Sequence, residues 1–150
     1  MRSRSIPPPR DHVLGVGVSA LSFATASDLV VGVRGNRDTR GRSIGLATVH
    51  DVDEARADPS FRRSLNTSWL TPPDDLPLVW LGPPGFARVD GPGLMLAVYD
   101  AGRSPCFSGS QPGVADELKT RVTVRDPGLA VVGPSPPPCR PRVSPAPLRI

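Results

Sequence analysis

Lysine is almost absent from this chain: Lys119 is the only one, and arginine carries nearly all of the positive charge. A GC-rich coding sequence produces that bias without any selection for binding. The formal charge of +4 and the pI near 10.0 therefore say little by themselves, although clustered cations are what polyanions reward through counterion release. Arginine is mixed with Asp and Glu through the middle and unopposed mainly at the two ends, so the first reading is a solvated surface. A peripheral membrane surface is the partner this charge leaves open, and no nucleic-acid partner is expected.

Cysteine is scarce as well. Cys106 and Cys139 are the only two, and neither lies in metal-ligand spacing, a pattern compatible with a reducing, cytoplasmic compartment. No apolar run reaches the ~18 residues of a membrane span. The Arg-rich start lacks a continuous apolar core and a cleavage site, so neither a signal peptide nor a transmembrane anchor is expected. Aromatic residues make up only 5% of the chain and hydrophobic residues 38%. Proline is the counterweight, with 20 residues unevenly spread and crowded at Pro7 to Pro9 and again from Pro134 to Pro147. The middle is accordingly more globular than the totals suggest. The length suits one domain of ordinary size, which we place at residues 12–133 between a disordered leader, 1–11, and a Pro-rich disordered tail, 134–150.

Within that domain the pattern alternates. His12 to Val18 reads as a strand or tight hairpin, and Ser19 or Ser22 caps a helix running towards Val31. Gly32 to Ser43 is Gly/Arg rich and polar, hence a loop. Ile44 to Val49 has the short apolar character of a buried parallel strand. From Asp51 the spacing of Val52, Ala55, Phe61 and Leu65 suits one helical face, with Pro59 able to start a new turn. Leu70-Thr71 reads as a short strand entering a Pro72-Pro73-Asp74-Asp75 turn, after which Pro77 opens another helix. Pro92 to Ala101 and Pro112 to Arg125 read as helices, and Cys106 to Ser108 and Leu129 to Val132 as strands. This order predicts an α/β fold, a Rossmann-like parallel sheet with helical crossovers. Ligands in such sheets sit beyond the carboxyl ends of the strands, so the site candidates lie in Val49 to Asp51, Thr71 to Asp75 and Gly109 to Pro112.

Asp74 stands out among these, in a Pro-rigidified turn after a strand. A carboxylate there is either a general base, worth ~10² to 10⁴ in rate when well placed, or the cap of the helix opening near Pro77, worth ~1 kcal/mol. Residue pattern alone favours the cap. Arg88 reads by default as a surface arginine, and His50 as a structural histidine after a strand. Gly109-Ser-Gln-Pro-Gly113, which contains Gln111, has the form of an anion-binding turn or of an ordinary strand-to-helix turn.

Four ordered blocks add to this. Asp51-Val-Asp-Glu-Ala-Arg-Ala-Asp-Pro-Ser-Phe-Arg62, with Leu70-Thr-Pro-Pro-Asp-Asp-Leu-Pro-Leu-Val-Trp-Leu-Gly82, resembles "V-M-E-A-R-x-D-P-x-F-R…L-x-T-P-D-G-M-P-L-V-W-L-G" of the WecG/TagA/CpsF glycosyltransferases. Arg88-Val-Asp-Gly-Pro-Gly-Leu-Met-Leu-Ala97 resembles "R-V-Y-G-P-D-L-M-L-A" of the same family. Gly109-Ser-Gln-Pro-Gly-Val-Ala-Asp-Glu-Leu118 and Pro127-Gly-Leu-Ala-Val-Val-Gly133 complete the series. The resemblance implies an inverting transferase that moves an N-acetylmannosamine-type sugar from a UDP-sugar donor to polyprenyl-diphosphate-linked N-acetylglucosamine, in surface polysaccharide or teichoic acid synthesis. It implies no metal and no cofactor, and a cytoplasmic location at the inner face of the cell membrane. By the same resemblance Asp74 is the catalytic base and Arg88 contacts the diphosphate. Thr48, His50, Gly109 and Gln111 become substrate-binding candidates. Arginine and helix-end N–H groups would then stabilise the leaving group.

The pattern also departs from the family. Asp75 stands where the family has Gly, Gly93 where it has Asp, and Asp53 replaces an apolar Met. The family continues past Ser135-Pro-Pro-Pro-Cys-Arg-Pro141 with a UDP-contacting "G-x-P-K-Q-E" segment that this chain does not show. The expectation is a truncated or degenerate transferase, inactive alone. The alternative is a non-catalytic remnant that acts as a basic binding or interaction module.

Overall fold

The computed structural model describes residues 8–33, 42–108 and 111–132, and the chain divides into two compact units, 1–101 and 102–150. Among the described residues the protein is a mixed α/β structure with one two-stranded antiparallel sheet and six helices. The Pro-rich segment 134–150 lies outside the described residues.

The first unit opens with a hairpin of β1 (Arg10–Val13) and β2 (Val16–Ser19), paired from Arg10 with Ser19 to Val13 with Val16. Leu14 and Gly15 make the turn, both with positive φ, the geometry that matches the twist of two-residue hairpins. The strand starts inside the segment expected as leader. The reason is Arg10, whose guanidinium donates to the main-chain oxygens of Asn66 and Ser68, a tertiary contact that local composition does not reveal. Burial lowers its pKa from the usual arginine value.

Each helix begins where a short polar side chain can satisfy free amides. Ser22 caps α1 (Phe23–Val31), accepting from Thr25 N at 3.2 Å. Ser19 is instead buried in β2, where its Oγ accepts from Thr71 N at 2.9 Å. Asp58 ends α2 (Val49–Ala57) and caps α3 (Pro59–Thr67), so Pro59 takes the first helical position. Two more helices follow, α4 (Leu76–Leu81) and α5 (Gly91–Asp100). Val52, Ala55 and Leu65 are buried together and Phe61 packs against them, the face that their spacing indicated. Asp53 lies off that face, 74% exposed and 3.4 Å from Arg56, so its charge carries no burial cost.

The parallel sheet expected from the sequence does not form as regular strands. What forms is a parallel pairing of residues 43–47 with 69–74, with isolated bridges at Ile44–Leu70 and Ala47–Pro73. Leu70 N donates to Ser43 O (3.4 Å), Gly45 N to Leu70 O (2.9 Å), Ala47 N to Pro72 O (3.0 Å) and Asp74 N to Ala47 O (2.8 Å). A parallel ladder would also need a bond from residue 72 to Gly45 O. Pro72 has no N–H to give, so the ladder breaks in its middle. On the other side of 69–74, Ser19 N donates to Thr71 O and Val89 N to Pro73 O, each at 2.8 Å.

This central segment is fully buried from Leu70 to Pro73. Two apolar clusters divide the unit: α2, α3 and α4 contribute Val52, Ala55, Leu65 and Leu78 to one, and α1 and α5 contribute Ala26 and Leu94 to the other. Ala47 belongs to the first cluster and Ile44, Leu46 and Leu70 to the second. Leu70 and Leu78, both fully buried, contribute ~1.5–3 kcal/mol each by their removal from water. Thr71 is buried but satisfied, since its hydroxyl donates to Leu65 O at 2.9 Å.

The second unit contains α6 (Val114–Arg125), with Ala115, Val122, Phe107 and Leu129 buried. The stretches 106–108 and 129–132, expected as strands, are irregular. Val132 N donates to Pro105 O at 2.9 Å, but a single bond does not make a ladder.

Candidate functional site

The two aspartates of the Pro72-Pro73-Asp74-Asp75 turn separate into different roles. Asp75, not Asp74, is the helix cap: its Oδ1 accepts from Leu78 N at 3.0 Å in the first turn of α4. Its other oxygen, Oδ2, accepts from Val49 N at 2.9 Å, the first residue of α2. One carboxylate thus ties together the starts of two helices. The carboxylate that stands where the family has Gly is a double acceptor.

Asp74 is held by its main chain and left open at its side chain. Its N–H donates to Ala47 O at 2.8 Å, and its carbonyl accepts from Arg88 Nε at 2.7 Å. The residue is half-buried, and among the described residues its carboxylate has no hydrogen-bond partner. The capping role that residue pattern favoured for Asp74 is corrected, because the adjacent carboxylate already fills it.

Arg88 reaches Asp74 from a short loop, Gly82 to Ala87, anchored on both sides. Phe86 is buried in the cluster under α4, and Val89 is buried with its N–H on Pro73 O. A side chain at Gly82 would meet the Phe86 ring at 2.0 Å, so the ring's position requires glycine there. Between these two anchors Arg88 is exposed, with Nε engaged and its two terminal nitrogens unpartnered among the described residues. Guanidinium nitrogens so placed suit a phosphate or diphosphate oxygen.

The other expected ligands are placed differently. Thr48 caps α2 in a capping box: its hydroxyl donates to Asp51 Oδ2 at 2.6 Å and accepts from Asp51 N at 3.2 Å, while Thr48 N donates to Asp51 Oδ2 at 2.8 Å. With Asp75 on Val49 N, two of the protein's own carboxylates take amides at this helix end. His50 is 79% exposed and lies 3.5 Å from Glu54 along the same helix. Gly109 lies outside the described residues. Gln111, in the second unit, is exposed, and its carbonyl accepts from Val114 N at 3.2 Å. The structure therefore joins Asp74 to Arg88 and ties the turn to the two neighbours of Thr48, through Asp74 N on Ala47 O and Asp75 Oδ2 on Val49 N.

Asp75 is the residue that sequence reasoning misjudged. Its cap on α4 was legible, since an Asp just ahead of a helix with Pro in the first turn is a start signal. Its bond to Val49, 26 positions away, has no signal in the sequence. Gly93 also finds an explanation: its N–H donates to the Asp90 carboxylate at 2.7 Å, and a Cβ there would meet that same oxygen at 2.7 Å. Asp90 supplies the cap of α5 that a carboxylate at position 93 would crowd. Among the described residues no group of three His, Cys, Asp or Glu side chains is arranged to hold a metal ion.

Comparison with known proteins bears on the family of the chain. The profile of the glycosyl transferase WecG/TagA/CpsF family matches residues 12–148, which takes in most of the first unit and reaches into the Pro-rich segment beyond 133. No curated protein matches the chain.

Proposed function

Because the chain belongs to the WecG/TagA/CpsF glycosyl transferase family, whose role is sugar transfer in polysaccharide synthesis from a sugar-nucleotide donor to a lipid-linked acceptor, we propose that Asp74 and Arg88 form its transfer site. The donor is a UDP-sugar of the N-acetylmannosamine type, and the acceptor is N-acetylglucosamine on a polyprenyl diphosphate. Asp74 takes the proton of the acceptor hydroxyl as that oxygen bonds to the anomeric carbon. The bond from that carbon to the UDP oxygen breaks on the opposite face, so configuration inverts. Arg88 carries the charge that develops on the departing diphosphate, where a fixed donor gains most over water. The parallel pairing of 43–47 with 69–74, with helices on both faces, supports a Rossmann-like reading in which this site lies at the carboxyl end of the central segment. No helix among the described residues is long and apolar enough to cross a membrane. The protein would meet its lipid-linked acceptor at the inner face of the cell membrane.

The single observation that carries this reading is the Arg88–Asp74 bond beside a carboxylate with no hydrogen-bond partner among the described residues. The occupied amides at the start of α2 favour a second reading, a non-catalytic binding module, because they leave Arg88 as the main anion contact. One experiment separates the two. The purified chain is given a UDP-sugar and the lipid-linked acceptor, and the rate is compared with that of Asp74→Asn. Transfer that falls by ~10² or more in the variant supports the base; transfer unchanged by the substitution, or UDP binding without any transfer by the natural sequence, overturns it.

A further inference from the structure

We infer that Asp75 is a positioning residue for Asp74, acting as a clasp between two helix starts and not as a simple cap. The inference rests on the reading of Asp74 as the base, and it names what fixes that base in place. The turn has few other restraints on this side. Pro72 and Pro73 have no N–H, so between Thr71 and Asp74 the central segment donates no main-chain hydrogen bond. Asp74 itself is held through Ala47 O and Arg88. The next residue then bonds Val49 N at 2.9 Å and Leu78 N at 3.0 Å with separate oxygens, which closes a ring from residues 47–49 across the turn to α4.

The consequence for Asp74 is twofold. Its neighbour takes the amides of Val49 and Leu78, and the Asp74 carboxylate is left without a hydrogen-bond partner among the described residues. Asp74 is also held on both sides, by its own N–H on Ala47 O and by the side chain of the next residue on Val49 N, so its carboxylate can turn about its own side-chain bonds while its Cα stays fixed. Placement of this kind matters because a displacement of ~1 Å at a reacting group costs up to ~10² in rate.

Asp75→Ser tests the clasp. Serine caps helices about as well as aspartate, so α4 keeps its start, but one hydroxyl cannot span both amides. The natural sequence and the variant are compared by amide hydrogen exchange and by sugar transfer. The expected result is exchange about tenfold or more faster at Val49 and Asp74, with Leu78 and the α5 amide of Leu94 within about twofold. In the transfer assay kcat falls about tenfold while the donor KM stays within about twofold, the signature of lost positioning and not of lost binding. Val49 and Asp74 exchanging as in the natural sequence, or a variant with full kcat, overturns the clasp and leaves Asp75 as an ordinary cap. If neither protein transfers sugar, the transferase reading falls, and the exchange measurement still decides whether Asp75 holds the turn.

Discussion

Arg88 Nε donates to the main-chain oxygen of Asp74 at 2.7 Å, across 14 positions of sequence. The candidate base and the candidate diphosphate contact are therefore one mechanical unit. The side chain that would meet the donor is braced by the backbone of the residue that would activate the acceptor. A change at either end should be felt at both.

Arg88→Ala removes a charge-assisted donor and frees the Asp74 carbonyl. We expect UDP binding weakened by ~1.5–3 kcal/mol, read by calorimetry as a tenfold or larger rise in Kd, by the usual affinity arithmetic of about tenfold per 1.4 kcal/mol. Arg88→Lys should recover only part of it, because an ammonium cannot brace a carbonyl and grip a diphosphate with the same planar fork.

Asp74 and Asp75 should part ways in stability as well as in chemistry. The Asp74 carboxylate has no hydrogen-bond partner among the described residues, so Asp74→Asn should shift unfolding free energy by no more than ~0.5 kcal/mol. Asp75→Ala strips acceptors from two helix starts and should cost about 2 kcal/mol or more. Urea titrations of the two variants would show the reverse order if the capping role belonged to Asp74.

Acid should weaken the junction of α2 and α3. The Ser60 hydroxyl, then the amides of Phe61 and Ser60, hydrogen-bond the Asp58 carboxylate and hold its pKa below the ordinary aspartate value. A depressed folded pKa means stabilisation that is present above the unfolded value and is lost as pH falls through the folded one. Thermal unfolding followed downward from neutrality should show a smaller acid loss of Tm in Asp58→Ala than in the natural sequence. Equal losses would show that this carboxylate is not linked to folding.

Gly82→Ala should be the most damaging small change near the site. Its methyl would enter the Phe86 ring, which is buried in the core cluster under α4. Overpacking of that kind costs ~1–3 kcal/mol. Phe86 is two residues from Arg88, so the substitution should also weaken UDP binding; a variant with natural Tm and natural UDP affinity would show that the loop tolerates a displaced ring.

Much of the first unit was legible in the sequence because its determinants are local. Ser22, and Pro59 at the start of α3, act within three residues of the helix they start, and the common face of Val52, Ala55 and Leu65 follows from helical periodicity alone; the Thr48–Asp51 box is as local, but the apolar run before it reads as a strand through Val49, where α2 in fact begins. Family membership was legible too, since it resides in the order of short blocks. The strands expected at 106–108 and 129–132 failed for the opposite reason: an apolar run shows the propensity to pair, not the partner.

Only the tertiary structure decided which aspartate caps and which stays open, why Arg10 belongs to the domain and not to a leader, and how Arg88 meets Asp74. These rest on bonds between residues 26, 56 and 14 positions apart. Local pattern cannot fix them, because a hydrogen bond of that span exists only after the core has brought its two ends within ~3 Å of each other. Pro72 shows both levels at one residue. The sequence alone removes its N–H, and the fold alone places that gap opposite Gly45, where it divides a parallel ladder into two isolated bridges.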